Sequence, residues 1–247
     1  MVVQDAGEML VGCLQWRERR SINDLRAAMF EDECATGKIF RPGLDRWGRP
    51  FMCFNNHVQN TDDSEAHMAF LAWSMEECEG STGVNGAAKY SLFVNLEEFS
   101  LFNNPPFSET KETLWMVQNG YPERMGSAVV YQAPWIFKQV WSWVKVIMDE
   151  RTHSKITFVV GDVSPGSKND RDMCSLIGNN WKQMTGVHAG LSTKGADGHD
   201  VAPDYDHAAH WPMVLAQEEG HGLPKSRLPE GSKGLAEAIR LNIAASS

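Results

Sequence analysis

Glu123, Thr152 and Lys155 are the residues of this chain whose types and spacing could do chemistry on a bound molecule. A lysine supplies a cation and a threonine a hydroxyl donor, which together suit the oxygens of a phosphodiester. A carboxylate accepts hydrogen bonds and suits sugar hydroxyls such as those of an inositol ring. Thr152 and Lys155 fall between a long apolar stretch, Trp135 to Met148, and a second one, Ile156 to Val160, so both can reach the mouth of a pocket. From spacing alone, the simpler reading is a loop hydroxyl and a solvated lysine beside Asp149. Glu123, likewise, can be a salt bridge to Arg124 or another basic residue.

The elements that must position these residues follow from periodicity. Phe137, Val140, Trp141, Val144 and Met148 recur at helical spacing, and Trp143, Val146 and Ile147 make that helix apolar well around its circumference. The ordinary meaning of such a pattern is a buried helix. Ala128–Tyr131 before it and Ile156–Val160 after it read as strands. Upstream, Phe51–Phe54 and Leu92–Val94 are strand cores. Asp62, Asp63 and Ser64 can cap a helix whose apolar face is Met68, Leu71, Ala72 and Met75. Ser108–Val117 reads as a helix and Asn23–Phe30 as a further short one. Met9, Leu10, Cys13, Leu14 and Trp16 share a helical face that Arg17–Arg20 close with charge. Gly80, Gly83 and Gly86 predict a loop, and the tail after Trp211 leads to a short amphipathic end, Leu235–Ile243. Helix and strand alternate over 51–184, which implies an α/β fold with a mostly parallel sheet and helical crossovers.

Composition narrows the function classes. The 247 residues carry a net charge of −9, against general nucleic-acid binding and against adhesion to anionic membranes by bulk charge. Membrane contact would need a local patch or inserted apolar side chains. The five cysteines have no paired spacing and predict free thiols in a reducing compartment. No signal peptide and no apolar run of membrane-spanning length is evident, which predicts a soluble, cytoplasmic chain. G-x-S-x-G, G-x-x-x-x-G-K-[ST] and G-x-G-x-x-G are all missing, so no enzyme is predicted. His207 and His210 could face one metal if helical, within a run that includes Asp197, His199, Asp200, Asp204 and Asp206. No cysteine pair or H-E-x-x-H reinforces them, so no metal or other cofactor is predicted, and Tyr205–His207 is expected to tie the C-terminal segment to the body.

In order and spacing, Tyr121, Pro122, Glu123, Arg124 and Gly126, then Ala133, Pro134 and Phe137, then Asp149, Thr152, Lys155 and Ile156 closely resemble the signature of the CRAL-TRIO lipid-transfer family. That signature runs Y-P-E-R-x-G, strand, N-A-P-x-x-F, helix, D-x-x-T-x-x-K-I, strand. Asp45–Pro50 resembles the family's D-x-x-G-R-P turn, and weaker similarity covers roughly residues 7–212. The resemblance implies an apolar lipid cavity under a mobile gate helix, with Trp135, Phe137, Val140, Trp141 and Val144 lining or gating it. In phosphatidylinositol-binding members the Glu of Y-P-E-R and the Thr and Lys of T-x-x-K hold the headgroup, which implies that role for Glu123, Thr152 and Lys155. Asn95–Glu98 departs from the family's D-L-x-G turn. Tyr90 and Leu92 stand where phosphatidylcholine-binding members place small hydroxyls. Lys145–Asp149 replaces K-P-F-L-D, so the gate helix is expected to run further. The expected domains are a remnant helical lobe over 1–40, a lipid-binding domain over 41–212 and a tail over 213–247. The implied partners are a phospholipid and, transiently, a membrane. A carrier of a tocopherol, retinoid or sterol, or a lipid-sensing scaffold for a protein partner, are the alternatives.

Overall fold

The computed structural model describes residues 2–81, 88–100 and 106–220; Gly83, Gly86 and the helix expected over 235–243 lie outside them. Helix α1 (Val2–Arg19) leads through two 3-10 turns, Ile22–Asp24 and Ala27–Met29, into the one-turn helix α2 (Glu31–Cys34). The α-helix expected over Asn23–Phe30 is therefore two tight turns. Leu25 between them is extended, which breaks the helical hydrogen-bond ladder. Strands β1 (Ile39–Leu44) and β2 (Pro50–Phe54) form an antiparallel hairpin. Then follow α3 (Ser64–Gly80), β3 (Tyr90–Asn95), α4 (Phe107–Trp115), which runs on as a π turn over Met116–Gly120, and β4 (Met125–Tyr131). Helix α5 (Phe137–Ile147), the one-turn helix α6 (Glu150–Ser154) and β5 (Ile156–Val159) complete the alternation. Helices α7 (Lys168–Leu176) and α8 (Trp181–Thr185), the small hairpin β6 (Thr193–Lys194) and β7 (Asp200–Val201), and α9 (His207–Gly220) close the described chain.

The main sheet has the order β1-β2-β3-β4-β5, with β2 to β5 parallel, as the alternation of helix and strand predicts. Strand order follows chain order, so crossovers of one hand put α3, α4 and α5 on the same face. Side chains alternate between faces along each strand. Met52, Leu92 and Ala128 join the core beneath α3, whereas Phe51, Cys53, Phe93, Val129 and Tyr131 pack with Met173 of α7, Ile177 just after it and Trp181 of α8. Both faces are covered, which is why these strands read as continuous apolar runs.

Asp63 starts α3 by accepting hydrogen bonds from the Glu65 and Ala66 amides, a cap worth about 1 kcal/mol. Asp45, buried at the β1–β2 turn, is held by the Trp47 and Arg49 amides, the Arg49 guanidinium at 2.7 Å and the Ser91 hydroxyl at 2.8 Å. Arg49 reaches on to Ser127 on β4, so this turn locks three strands. At Gly126 a Cβ would lie 2.6 Å from Arg49 Nη1, so the guanidinium needs glycine there.

Of the apolar stripe on α1, Cys13 and Trp16 are buried, while Met9, Leu10 and Leu14 are exposed. Trp16 packs against Gly120, Trp115 and Tyr121, and covers the π turn. Tyr205 donates to the Cys34 carbonyl at 2.7 Å and its ring fills the space over Gly37, so the segment near 205 is tied to the body. His207 and His210 lie in α9, His207 against Trp211 and His210 against Phe40 and Tyr205. Helix α9 runs across residue 212, where the sequence suggested a boundary. The five cysteines are free thiols, and burial pushes Cys34 and Cys78 up to about 12. Among the described residues no helix is long and apolar enough to cross a membrane.

Candidate functional site

Helix α5 divides its side chains between two surroundings. Phe137, Val140, Trp141 and Val144 turn inward and line an apolar cavity of about 210 Å³, walled opposite by Leu71 and Met75 of α3 and by Leu92, Ala128 and Val130 of the sheet. Trp141 packs edge-on against Phe158 at 4.7 Å and stacks on His153, which seats the helix over β5 and α6. Outward, Trp143, Val146 and Ile147 are exposed together with Lys138 and Lys145. Trp135, expected to line or gate the cavity with the other four, precedes the helix, is 80% exposed and does not border the cavity. The helix itself ends at Ile147, with Met148 extended, so it does not run beyond the expected turn.

Beside the cavity lies an open polar cleft of about 680 Å³, bordered by Gln118, Asn119, Glu123, Asp149, Arg151 and Lys155. Val117, Met125, Met148 and Thr152 border both spaces, so the apolar cavity and the polar cleft meet there. Glu123, Thr152 and Lys155 are thus brought together at one mouth. Their immediate partners are each other and their neighbours. Glu123 accepts from Lys155 Nζ at 3.3 Å and from Arg151 Nη1 at 3.2 Å. Thr152 donates its hydroxyl to Asp149 at 2.5 Å, and the same aspartate caps α6 by accepting from the Thr152 amide at 2.8 Å. Hydrogen bonds from Lys155 and then Arg151 hold the Glu123 carboxyl below its ordinary range. At Asp149, burial works upward but is outweighed by the hydrogen bonds from Thr152, and the carboxyl again sits low. All of these acids are ionised near neutral pH.

Local structure explains the placement. Glu123 holds a left-handed backbone (φ 60), a costly geometry for a residue other than glycine, inside a turn whose flanks are pinned. Tyr121 is buried and donates to the Ala72 carbonyl, and Arg124 pairs with Glu79 at 2.8 Å. Arg124 is therefore committed to α3, and Glu123 finds its cations across the cleft. Two residues at the mouth escaped sequence reading. Arg151 lies four before Lys155, a spacing that one helical turn converts into a shared face; that signal was available. Gln118 accepts from the Asp149 amide at 2.6 Å from within the π turn, which no pattern in the sequence announces.

Residues 35–165 match the CRAL/TRIO domain family. A CRAL-TRIO domain-containing protein of Schizosaccharomyces pombe is 32% identical over 159 residues, 63% of this chain and 15% of that protein. The phosphatidylinositol transfer protein PDR17 of Saccharomyces cerevisiae is 28% identical over 134 residues, 51% of this chain and 37% of its own. The chain therefore spans well under half the length of these curated relatives. The solved structure of Sfh5 superposes with a TM-score of 0.48 at 15% identity, over 63% of this chain and 60% of that one. With its family match covering just over half of its residues, this chain belongs to the CRAL/TRIO domain family, whose members bind and transfer lipids.

Proposed function

We propose that this chain binds a phospholipid, phosphatidylinositol, with its acyl chains in the apolar cavity and its headgroup in the polar cleft, and transfers or presents it between membranes. The observation that carries this reading is the junction at Met148 and Thr152, residues that border both the apolar cavity and the cleft lined by Lys155, Arg151 and Glu123. An amphiphile with a compact polar head matches that division. Burial of acyl chains supplies the driving force, about 0.8 kcal/mol per methylene. A cavity of about 210 Å³ is smaller than a typical ligand pocket of roughly 300–1,000 Å³, so α5 must swing outward to admit two chains.

The ion pairs give a physical basis for headgroup choice. Lys155 and Arg151 both bind Glu123. A phosphodiester that takes Lys155 frees one oxygen of Glu123, which then accepts hydrogen bonds from ring hydroxyls while Arg151 keeps the other. A head that brings both an anion and hydroxyls replaces the hydrogen bonds it breaks; a choline head offers Glu123 a cation but no hydrogen-bond donor. That a relative is named a phosphatidylinositol transfer protein supports the same choice. The exposed outer face of α5, with Trp143 and Val146 beside Lys138 and Lys145, supports transient membrane contact. On this reading the chain is a carrier, not a catalyst, and works in the cytoplasm.

The test is mass spectrometry of lipids that copurify from eukaryotic cells, wild type beside Lys155→Ala. Phosphatidylinositol with the wild type and its loss from the variant are expected. A sterol, a tocopherol or no lipid at all would overturn the headgroup assignment.

A further inference from the structure

Helix α5 is fastened differently at its two ends. Before it, the Gln132 amide donates to the Val159 carbonyl at 2.8 Å. The Gln132 carboxamide also grips both polar groups of Gly161, donating to its carbonyl at 2.8 Å and accepting from its amide at 2.9 Å. These three bonds hold Gln132 in a left-handed backbone (φ 50), a costly geometry for a residue other than glycine. The first helical residue, Phe137, then packs its ring against Phe99 and Phe158. At the far end the chain leaves the helix extended at Met148. There the fastening is the half-buried Gln118, which spans Met148. Its carboxamide oxygen accepts from the Asp149 amide at 2.6 Å, and its nitrogen donates to the Ile147 carbonyl at a longer 3.4 Å. The Asp149 amide can only donate, which fixes how the carboxamide is turned. The π turn over Met116–Gly120 aims Gln118, and it is buttressed in turn: Asn119 donates to the Trp115 carbonyl and Cys13 of α1 to the Gly120 carbonyl. Single π turns of this kind are frequent at functional sites. Gln118 borders the polar cleft, and Met148 borders both cleft and cavity.

Taking α5 as the cover of a ligand cavity, the reading on which this rests, we propose that Gln118 is a positioning residue whose clasp across Met148 is the releasable fastening of α5. The helix opens by lifting its C-terminal end, and the Gln132 end stays behind as the hinge. Two neutral hydrogen bonds beside an open cleft exchange for water at small net cost. The anchored end would have to break a backbone bond, a two-bond clasp and an aromatic contact.

Val144 is buried and lines the cavity toward the end that lifts. The experiment alkylates the full chain carrying Val144→Cys with N-ethylmaleimide, no lipid added, and follows each thiol by peptide mass spectrometry. Buried Cys34, Cys53 and Cys78 report global unfolding in the same sample. The expected result is that Gln118→Met and Gln118→Leu each speed alkylation at position 144 about 3- to 30-fold, the effect of one or two hydrogen bonds, while the three buried thiols react as before. Gln132→Met, which keeps the backbone bond and the Phe137 packing, leaves position 144 unchanged. An unaltered rate at position 144 in both Gln118 variants, an equal gain from Gln132→Met, or acceleration of all the thiols together would overturn the proposal. Failure of the phosphatidylinositol reading shows instead in the Lys155→Ala lipid profile, so the two are separable.

Discussion

Two of the carboxylate–cation pairs in this fold, Asp45–Arg49 and Glu123–Lys155, do different work. Asp45 and Arg49 meet at 2.7 Å with the carboxylate fully buried, and two backbone amides and a serine hydroxyl share it. Glu123 and Lys155 meet at 3.3 Å with the glutamate 58% exposed and a second cation, Arg151, on its other oxygen. Every acceptor of the first pair is committed to the fold. The second pair can open into solvent or to a ligand at little cost, because exposed ion pairs contribute only about 0–1 kcal/mol. Of two motifs that resemble the same family signature, one holds the strands in register and the other is free to exchange partners.

Breaking the buried pair gives the largest expected effect. Asp45→Ala leaves the partly buried Arg49 without its anion and the β1–β2 turn, two backbone amides and the Ser91 hydroxyl without their buried acceptor, and stability should fall by about 3 kcal/mol. Urea unfolding monitored by tryptophan fluorescence checks this. A loss below about 1 kcal/mol would mean that the turn is not the lock between β1, β3 and β4 that its hydrogen bonds describe.

Acid divides the body from the mouth in a second way. His67 and His210 are each pushed down to about 4 by burial first, with Lys38 acting on His67, and Arg41 and then His207 on His210. Their folded values lie below the unfolded value, so below about pH 6.5 the unfolded chain binds more protons. Stability should be full above about pH 6.5 and decline down to about 4, by a few kcal/mol in all. The Glu123 pair stays ionised through most of that window, because its carboxyl sits low. Melting temperature against pH, with His67→Leu and His210→Phe, reads the effect; an unchanged slope in the double variant would assign the acid loss elsewhere.

At the mouth the order of effects reverses. Lys155→Ala should change stability by less than about 1 kcal/mol, since its ion pair is with a largely exposed carboxylate. Yet it removes the cation offered to a phosphate, a charge-assisted bond of about 1.5–3 kcal/mol, and transfer of phosphatidylinositol between vesicles should fall about 10- to 100-fold. Unchanged transfer would show that the exchangeable pair is only a surface bridge.

The same division explains what the sequence made legible. The alternation of apolar runs predicted β2 to β5 and their crossovers, because strands buried on both faces must be apolar throughout. Spacing put Thr152 and Lys155 between two predicted elements, and the family resemblance joined Glu123 to them. Exposure was not legible: Met9, Leu10 and Leu14 satisfy a helical stripe, but periodicity does not say what covers it, and only Cys13 and Trp16 of that stripe are buried. Trp135 was joined to the gate by the family resemblance, although the helix starts only at Phe137. His67 was invisible between Ala66 and Met68 because one histidine in an apolar helix carries no pattern; its lowered pKa emerges only once packing buries the ring.

Thr152 gives the smallest and sharpest test, since it belongs to both sides of the comparison. Its amide closes the cap of α6 on Asp149, a structural duty, while its hydroxyl, bound to the other oxygen of Asp149, faces the junction of cavity and cleft. Thr152→Val keeps the amide and the shape and deletes the hydroxyl alone. The cap survives, so stability should change by less than about 0.5 kcal/mol. Transfer of phosphatidylinositol should fall about 2- to 5-fold, because the hydroxyl only exchanges its bond to the Asp149 carboxylate for one to the phosphate. Thr152→Ser restores the hydroxyl and should restore transfer. If the valine variant instead loses stability and keeps its transfer, the hydroxyl belongs with Asp45 among the locks of the fold, and Lys155 alone carries the phosphate.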